Sequence, residues 1–389
     1  MNRRYYDFQE EYLFLIAYIL WMIDALVGIS MWRKIGAIND FCDYFRKAAY
    51  LLFVVQFLCK KRYTKKDAVG VFAIVIAVIL AERSGYNKHI IATTIMIYLS
   101  ANVDYRKILK CTLVLQAAFM VVTVLASQIG VIENVVWQEG TERIRYSLGY
   151  DYCAYPAHLM LFLTLIWFCI QKRTFFGSML IWFVLNTVVF LATDSRTDYF
   201  LSIAAMGGFC IVSRFKPYKN HGIFRFMMRW GCALLAVFSI LLQMLYRPEN
   251  GILQSLNTVL SNRLLLGQEA IRQHGFSMFG KPIRWIGMGS ARSNSELVYN
   301  YVDCAYLKEL LSFGVFFLLI LIGVFYLTGK RLAEKKEYML GWAVMISLLY
   351  AVVNAHLYMV VFNVFILCLA DGLEETGIGI KKSNREYKM

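Results

Sequence analysis

Apolar runs of roughly 20 residues, each bounded by a charged or turn-forming cluster, recur along this chain and constrain it most, because a helix of that length crosses a bilayer. They fall near 12–30, 46–59, 68–82, 88–101, 107–130, 153–171, 175–193, 198–213, 226–246, 305–328, 338–354 and 357–371. The third and fourth are short. Composition agrees with this reading, since 59% of the 389 residues are hydrophobic and 17% are charged, against the quarter usual in soluble domains. That excludes a soluble enzyme. The sequence predicts an all-α polytopic integral membrane protein, a single transmembrane domain over 1–389 with about 12 helices. One long outer loop, 247–304, separates the ninth and tenth spans. Arg3 and Arg4 precede a first span that ends at the Gly28 turn without a small-residue cleavage site, which reads as an uncleaved anchor.

The formal charge of +15 is accounted for by topology. With the N-terminus inside, the inner segments hold about 25 basic residues and the short outer loops about nine, the bias expected of a cytoplasmic face. The inner set comprises Arg3, Arg4, the Lys60–Lys66 cluster, Arg106, Lys107, Lys110, Lys172, Arg173, the Arg214–Arg229 group, Lys330–Lys336 and the tail. Split among short turns, these residues form no continuous patch for nucleic acid. Nine cysteines without a CxxC pair give neither a disulfide framework nor a zinc site. No phosphate-binding Gly-rich loop and no fixed-period repeat is present, so an ATP-driven pump and a solenoid find no support.

Three outer segments carry more charge than a connection needs. The first runs from Arg143 to Tyr152 and on to His158. Its tyrosines suit an interfacial belt, but Arg143 and Arg145, two residues apart, point the same way on an extended segment and make a cationic pocket for phosphate oxygens. In the second, Thr193 to Asp198, Arg196 either pairs locally with Asp194 or Asp198 or is oriented by them toward an anionic substrate. The third is the long loop, where Leu256, Val259, Leu260, Leu264 and Ile271 recur at helical spacing. They predict one amphipathic helix from Ser255 to His274, capped by Ser255 or Asn257 and ended by Gly275. Gly280, Gly287 and Gly289 then mark turns. Asp303, before the tenth span, is either a helix cap or a functional carboxylate.

The order of these motifs is similar to a known pattern. Arg145 with Gly149 and Tyr150 lies ahead of a span, and Ser195 to Thr197 lies between two spans. Leu260 to Arg263 and Phe279-Gly280 lie in the large loop, and Val302 to Gly314 follows. Together, over roughly 140–325, they resemble the Wzy-like O-antigen polymerase family. The resemblance implies a polyprenyl-diphosphate-linked oligosaccharide donor used on the outer face of the bacterial cytoplasmic membrane, with both termini cytoplasmic. It also implies partnership with membrane lipids, a flippase and a chain-length regulator. The related ligases carry His-Asn where this chain has Asp303-Cys304, which favours the polymerase over transfer to another acceptor. The family's Asp-Asn is half present, and its Gly-Phe-x-x-Pro-Asn stretch appears as Gly149-Tyr150 with Tyr155-Pro156-Ala157-His158.

The chemistry so implied needs positioned charge and no cofactor or metal, because the diphosphate is itself the leaving group. Guanidinium groups that meet the charge growing on the departing phosphate lower the barrier. Arg145, Arg196 and Arg263 are assigned to the diphosphate, Arg143 and Arg284 are further candidates, and Tyr306 is a substrate contact. Asp303 is the first choice of general base and His158 the second, in an inverting displacement. A lipid-linked oligosaccharide flippase and an inactive assembly subunit are the rival readings; a transporter would carry repeats and charges near the midplane.

Overall fold

The computed structural model describes residues 2–60, 63–85, 89–139, 143–171, 175–214, 222–287 and 299–373. Lys61, Arg62, Lys172, Arg173, Lys216, Lys219, Gly289 and the tail after 373 lie outside the described residues, as do the side chains of Arg3, Arg4, Lys65 and Lys66. Each of the first eleven apolar runs coincides with a helix. These are α1 (Asn2–Gly28), α2 (Gly36–Leu58), α3 (Lys65–Arg83), α4 (His89–Ser100), α5 (Tyr105–Gln128), α6 (Tyr155–Gln171), α7 (Phe176–Thr193), α8 (Arg196–Arg214) and α9 (Gly222–Met244). After the loop helices α10 (Gly251–Val259) and α11 (Arg263–His274) come α12 (Ala305–Glu334) and α13 (Tyr338–Tyr350).

Five of these helices, at Glu10–Gly28, Tyr105–Gln128, Phe176–Thr193, Gly222–Met244 and Ala305–Glu334, are long and apolar enough to cross a membrane. Helices α4, α6 and α13 are apolar but shorter. The side chains are arranged inside out for a protein in water. Phe72, Val114, Leu125, Phe176, Val188 and Leu191 face outward, while Thr112, Gln116, Asn186, Ser202 and Gln243 are buried. So much outward apolar surface needs an apolar surround.

The run at 357–371 is not the helix its composition suggests. Residues 351–363 form turns, Val364–Cys368 is a 3-10 turn, and only Leu369–Leu373 (α14) closes as a short helix. The segment still runs the length of the bundle. It leaves the end of α13, and its far end is held by Lys335 Nζ on Asp371 Oδ2 at 2.8 Å. Irregular backbone survives in a protein interior only if its polar groups are met there. Here side chains meet them. Thr93 donates to Tyr358 O at 3.1 Å, Gln116 to Val361 O at 2.8 Å, Asn363 to Leu357 O at 2.9 Å and Tyr105 to Val364 O at 3.2 Å.

Two further departures come from local chemistry. The single amphipathic helix expected over Ser255 to His274 is two, because Ser261 and Asn262 take left-handed backbone and break it. Asn250, and neither Ser255 nor Asn257, caps α10. The Asn257 carboxamide instead accepts from Leu264 N and Leu265 N, both at 3.1 Å, and so starts α11 across the break. Gly275 ends α11 as expected. Helix α12 is interrupted at Gly314, where φ is +89°. The amides freed there are taken up by the loop, Val315 N by Ser277 O at 3.0 Å and Phe316 N by Met278 O at 3.2 Å. A Cβ at Gly314 would collide with Gly280 N and Met278 O, and one at Gly280 with Ser312 O. The two motif glycines are therefore where the loop backbone meets the helix.

Candidate functional site

One end of the bundle collects the ends of α1, α7, α9 and α13 and the starts of α6, α8 and α12. Between α5 and α6 the chain forms an antiparallel hairpin, β1 (Val136–Glu139) and β2 (Arg143–Tyr146), with Trp137 opposite Arg145. The segment that follows is tied to the end of α1 by Met31 N on Gly149 O at 2.9 Å and Asp151 N on Ile29 O at 3.2 Å.

Alternation along β2 sends Arg143 and Arg145 to the same side, and both reach the α7–α8 turn. Arg145 is buried, with Nε donating to Thr193 O at 2.8 Å and Nη2 to Ser195 Oγ at 3.2 Å. Arg143 donates from Nη2 to Asp194 O at 2.7 Å and from Nε to the Asp194 carboxylate. The last carbonyls of α7 lack helical partners and form the negative end of its dipole, so they hold cations. Asp194 takes the left-handed conformation that ends α7, and its carboxylate also accepts from Arg196 Nε at 3.4 Å. Burial works against that carboxylate's charge, but the Arg143 hydrogen bond and the charges of Arg143 and Arg196 outweigh it and hold Asp194 below the usual range. Arg196 is the outermost of the three, with a side chain 67% exposed. Its pairing is with Asp194 and not Asp198.

Arg263, at the first turn of α11, donates from Nε to Asp303 Oδ2 at 3.2 Å. Burial opposes the guanidinium charge, and the Asp303 carboxylate more than compensates. The cap of α12 is Cys304, so Asp303 is not serving as the cap. Both side chains of the pair remain partly open, at 28% and 27% exposure. Tyr152 joins the two groups. Burial raises its phenol to about 12, and Arg145, Asp303 and Arg263 are all close enough to act on it.

Beneath lies a closed polar cluster. His158 Nδ1 is 2.7 Å from Asp198 Oδ1, Tyr350 Oη donates to the same oxygen at 2.6 Å, and Asn354 Nδ2 is 2.9 Å from His158 Nε2. With the Asn354 amide donating to Nε2, the ring proton sits on Nδ1 and goes to Asp198. All four side chains are buried. Asp198 stands in the first turn of α8, where the dipole favours a negative charge. His158 likewise stands in the first turn of α6 and Tyr350 ends α13, so the cluster lies at the same end of the bundle, within reach of the charges of Arg263 and Asp303.

The structure thus brings Arg143, Arg145 and Arg196 into one group and Arg263 with Asp303 into a second, with His158 below. Two candidates stand apart. Tyr306 is fully buried with its hydroxyl on Leu348 O at 2.8 Å, tying α12 to α13. Arg284 is exposed, and its carbonyl accepts from Asn300 Nδ2 at 3.1 Å. No contact among the described residues joins either to the arginine groups. Sequence reasoning passed over Tyr350, Asn354 and the bond from Asp198 to His158. Asn354 and His356, polar residues in an apolar run, were the available signal. Lys308 was also passed over. It is buried in the first turn of α12, with Nζ on Tyr301 Oη at 2.8 Å.

Among the described residues no group of His, Cys, Asp or Glu is arranged to hold a metal ion. No protein-family model, curated protein or solved structure matches the chain.

Proposed function

We propose that this chain is a membrane glycan polymerase that joins polyprenyl-diphosphate-linked oligosaccharide repeat units at the end of the bundle bearing the arginine groups. In this reading the chain passes the bacterial cytoplasmic membrane twelve times, eleven as helices and once as the buried 351–373 segment. Both termini are cytoplasmic and the arginine end is outside. The observation that supports it is that Arg143 and Arg145 of the hairpin and Arg196 gather on the 193–195 turn at that one end, with Arg145 and Arg263 of α11 both close to Tyr152.

Each group then has a distinct task. Arg263, Arg143 and Arg196 are open enough to bind diphosphate oxygens, and a guanidinium does so in bidentate geometry. Buried Arg145 adds fixed positive charge and locks the α7–α8 turn. As the glycosidic bond to phosphate breaks, charge grows on the leaving oxygen, and preorganised cations favour that state over the ground state. Asp303 takes the proton of the attacking sugar hydroxyl, and diphosphate binding draws Arg263 off its carboxylate. His158 is walled in on both ring nitrogens, so its task is to hold the floor of the site through Asp198 and Tyr350. The arginine groups and Asp303 lie at one end and not midway along the helices, which favours chemistry at that face over transport.

Purified protein in vesicles, given lipid-linked repeat units, tests the proposal. Longer glycan on the lipid carrier is expected. Substrate that crosses the vesicle unextended would make the chain a flippase, and no change in length or sidedness would make it a subunit.

A further inference from the structure

Three tyrosines stand near Asp303, a fourth packs on one of them, and none has a task in binding diphosphate. The charge of Asp303 acts on Tyr152, Tyr299 and Tyr301, and Tyr155 lies against Tyr152 with ring centroids 5.7 Å apart. The rings continue in both directions, Trp137 edge-on to Tyr152 at 5.4 Å and Tyr155 to Phe362 at 5.1 Å. They turn inward onto one another and onto charged groups, unlike a belt facing lipid. Lys308 fixes Tyr301 both by its hydroxyl at 2.8 Å and over its ring face at 4.2 Å. The hydroxyls of Tyr152, Tyr155 and Tyr299 carry no hydrogen-bond partner among the described residues. Asp151 Oδ1, next to Tyr152, is buried without one, although Oδ2 binds Arg33 at 3.0 Å.

This collar has the two properties a sugar ring requires. Flat half-buried aromatic faces take the C–H face of a pyranose, and unpaired donors and acceptors at their rims take its hydroxyls. A cationic ligand is disfavoured, since Arg145 and Arg263 stand beside the rings. An apolar chain would leave the phenols and Asp151 without partners, which is costly. We infer that Tyr152, Tyr155, Tyr299 and Tyr301 form a sugar subsite that holds the acceptor ring with its attacking hydroxyl at Asp303. The inference rests on the polymerase reading for the meaning of acceptor, but the binding of a sugar does not depend on the diphosphate.

Calorimetric titration of the purified protein in nanodiscs separates the two. One probe is the oligosaccharide released by mild acid from the lipid carriers of the cell that makes this protein; the other is geranyl diphosphate. Wild type is expected to bind both. Tyr152→Leu and Tyr299→Leu each weaken the oligosaccharide at least tenfold and leave geranyl diphosphate within twofold, which also shows that the variants fold. Tyr152→Trp, which keeps a flat ring, restores the oligosaccharide. Oligosaccharide binding unchanged in both Leu variants, or absent in a wild type that binds geranyl diphosphate, overturns the subsite. Loss of oligosaccharide in the Leu variants of a protein that never binds geranyl diphosphate upholds the subsite and overturns the diphosphate reading.

Discussion

The two ends of the bundle are both rich in charge, yet they use it differently. At the end away from the hairpin, cations meet acids across neighbouring helix ends. Lys107 binds Glu11 at 2.7 Å, Lys335 binds Asp371 at 2.8 Å, and Lys60 sits on Asp67 at 2.7 Å and Tyr98 at 2.9 Å. These contacts tie α1 to α5, α12 to α14 and α2 to α3 and α4. At the hairpin end, guanidiniums from distant stretches share partners, reach helix-terminal carbonyls and stand among tyrosines. A count of basic residues does not tell these ends apart. The difference lies in the partners: one end makes cation-to-acid pairs between neighbouring helix ends, whereas the hairpin end sets two arginines on one carboxylate and guanidiniums on helix-terminal carbonyls.

Substitutions at the two ends sharpen the contrast. The largest effects belong at the hairpin end. Asp303→Asn keeps shape and loses basicity, and Arg263→Lys keeps charge and loses the planar fork. Each should lower chain growth per molecule by about 10² to 10⁴ without lowering protein level. Normal chain growth in both would remove the distinction. Next comes Tyr350→Phe, which deletes one donor to buried Asp198 and should lower thermal stability in detergent by about 1–3 kcal/mol. An unshifted melting midpoint would mean that the cluster does not hold the floor. Lys60→Met, at the other end, leaves Asp67 without its ammonium and should destabilise by a similar 1–3 kcal/mol. Activity per folded molecule should stay at the wild-type level, and a drop comparable to Asp303→Asn would erase the difference between the ends.

The smallest effect concerns pH. Burial raises the Asp151 carboxyl to about 6, against the pull of Arg33 and Lys34. It therefore binds its proton more tightly folded than unfolded. The stability it contributes is present below about pH 4 and is lost as pH rises through about 6. Melting midpoints between pH 4 and 7 should fall more for wild type than for Asp151→Asn. Parallel curves would contradict this.

Much of the fold was legible because an apolar run of helix length between charged clusters leaves the backbone few other ways to pair. The 357–371 stretch was not, since a buried irregular segment is as apolar as a helix. Its β-branched Val360, Val361 and Val364, the polar Asn363 within it and Asn354 just ahead of it were the hints. In the long loop the Leu256–Ile271 spacing was read correctly as helical, and the break came from Ser261-Asn262, a pair that tolerates left-handed backbone. The hairpin was half legible. Arg143 and Arg145 share a side, as two-residue spacing requires, but the Val136–Glu139 partner strand went unread. At the site, residues near in sequence were paired correctly in kind, as with Asp194 and Arg196. The His158–Asp198–Tyr350–Asn354 cluster depends on how α6, α8 and α13 dock, which no local pattern encodes.

Photocrosslinking tests most directly whether the hairpin end is where a lipid-borne diphosphate sits. A polyprenyl diphosphate with a diazirine one carbon from its phosphate, irradiated with purified protein, should leave adducts within 143–158, 194–200 and 260–306, and geranyl diphosphate should compete them away. Adducts confined to the other end, around Lys60, Lys107 or Lys335, would contradict the account.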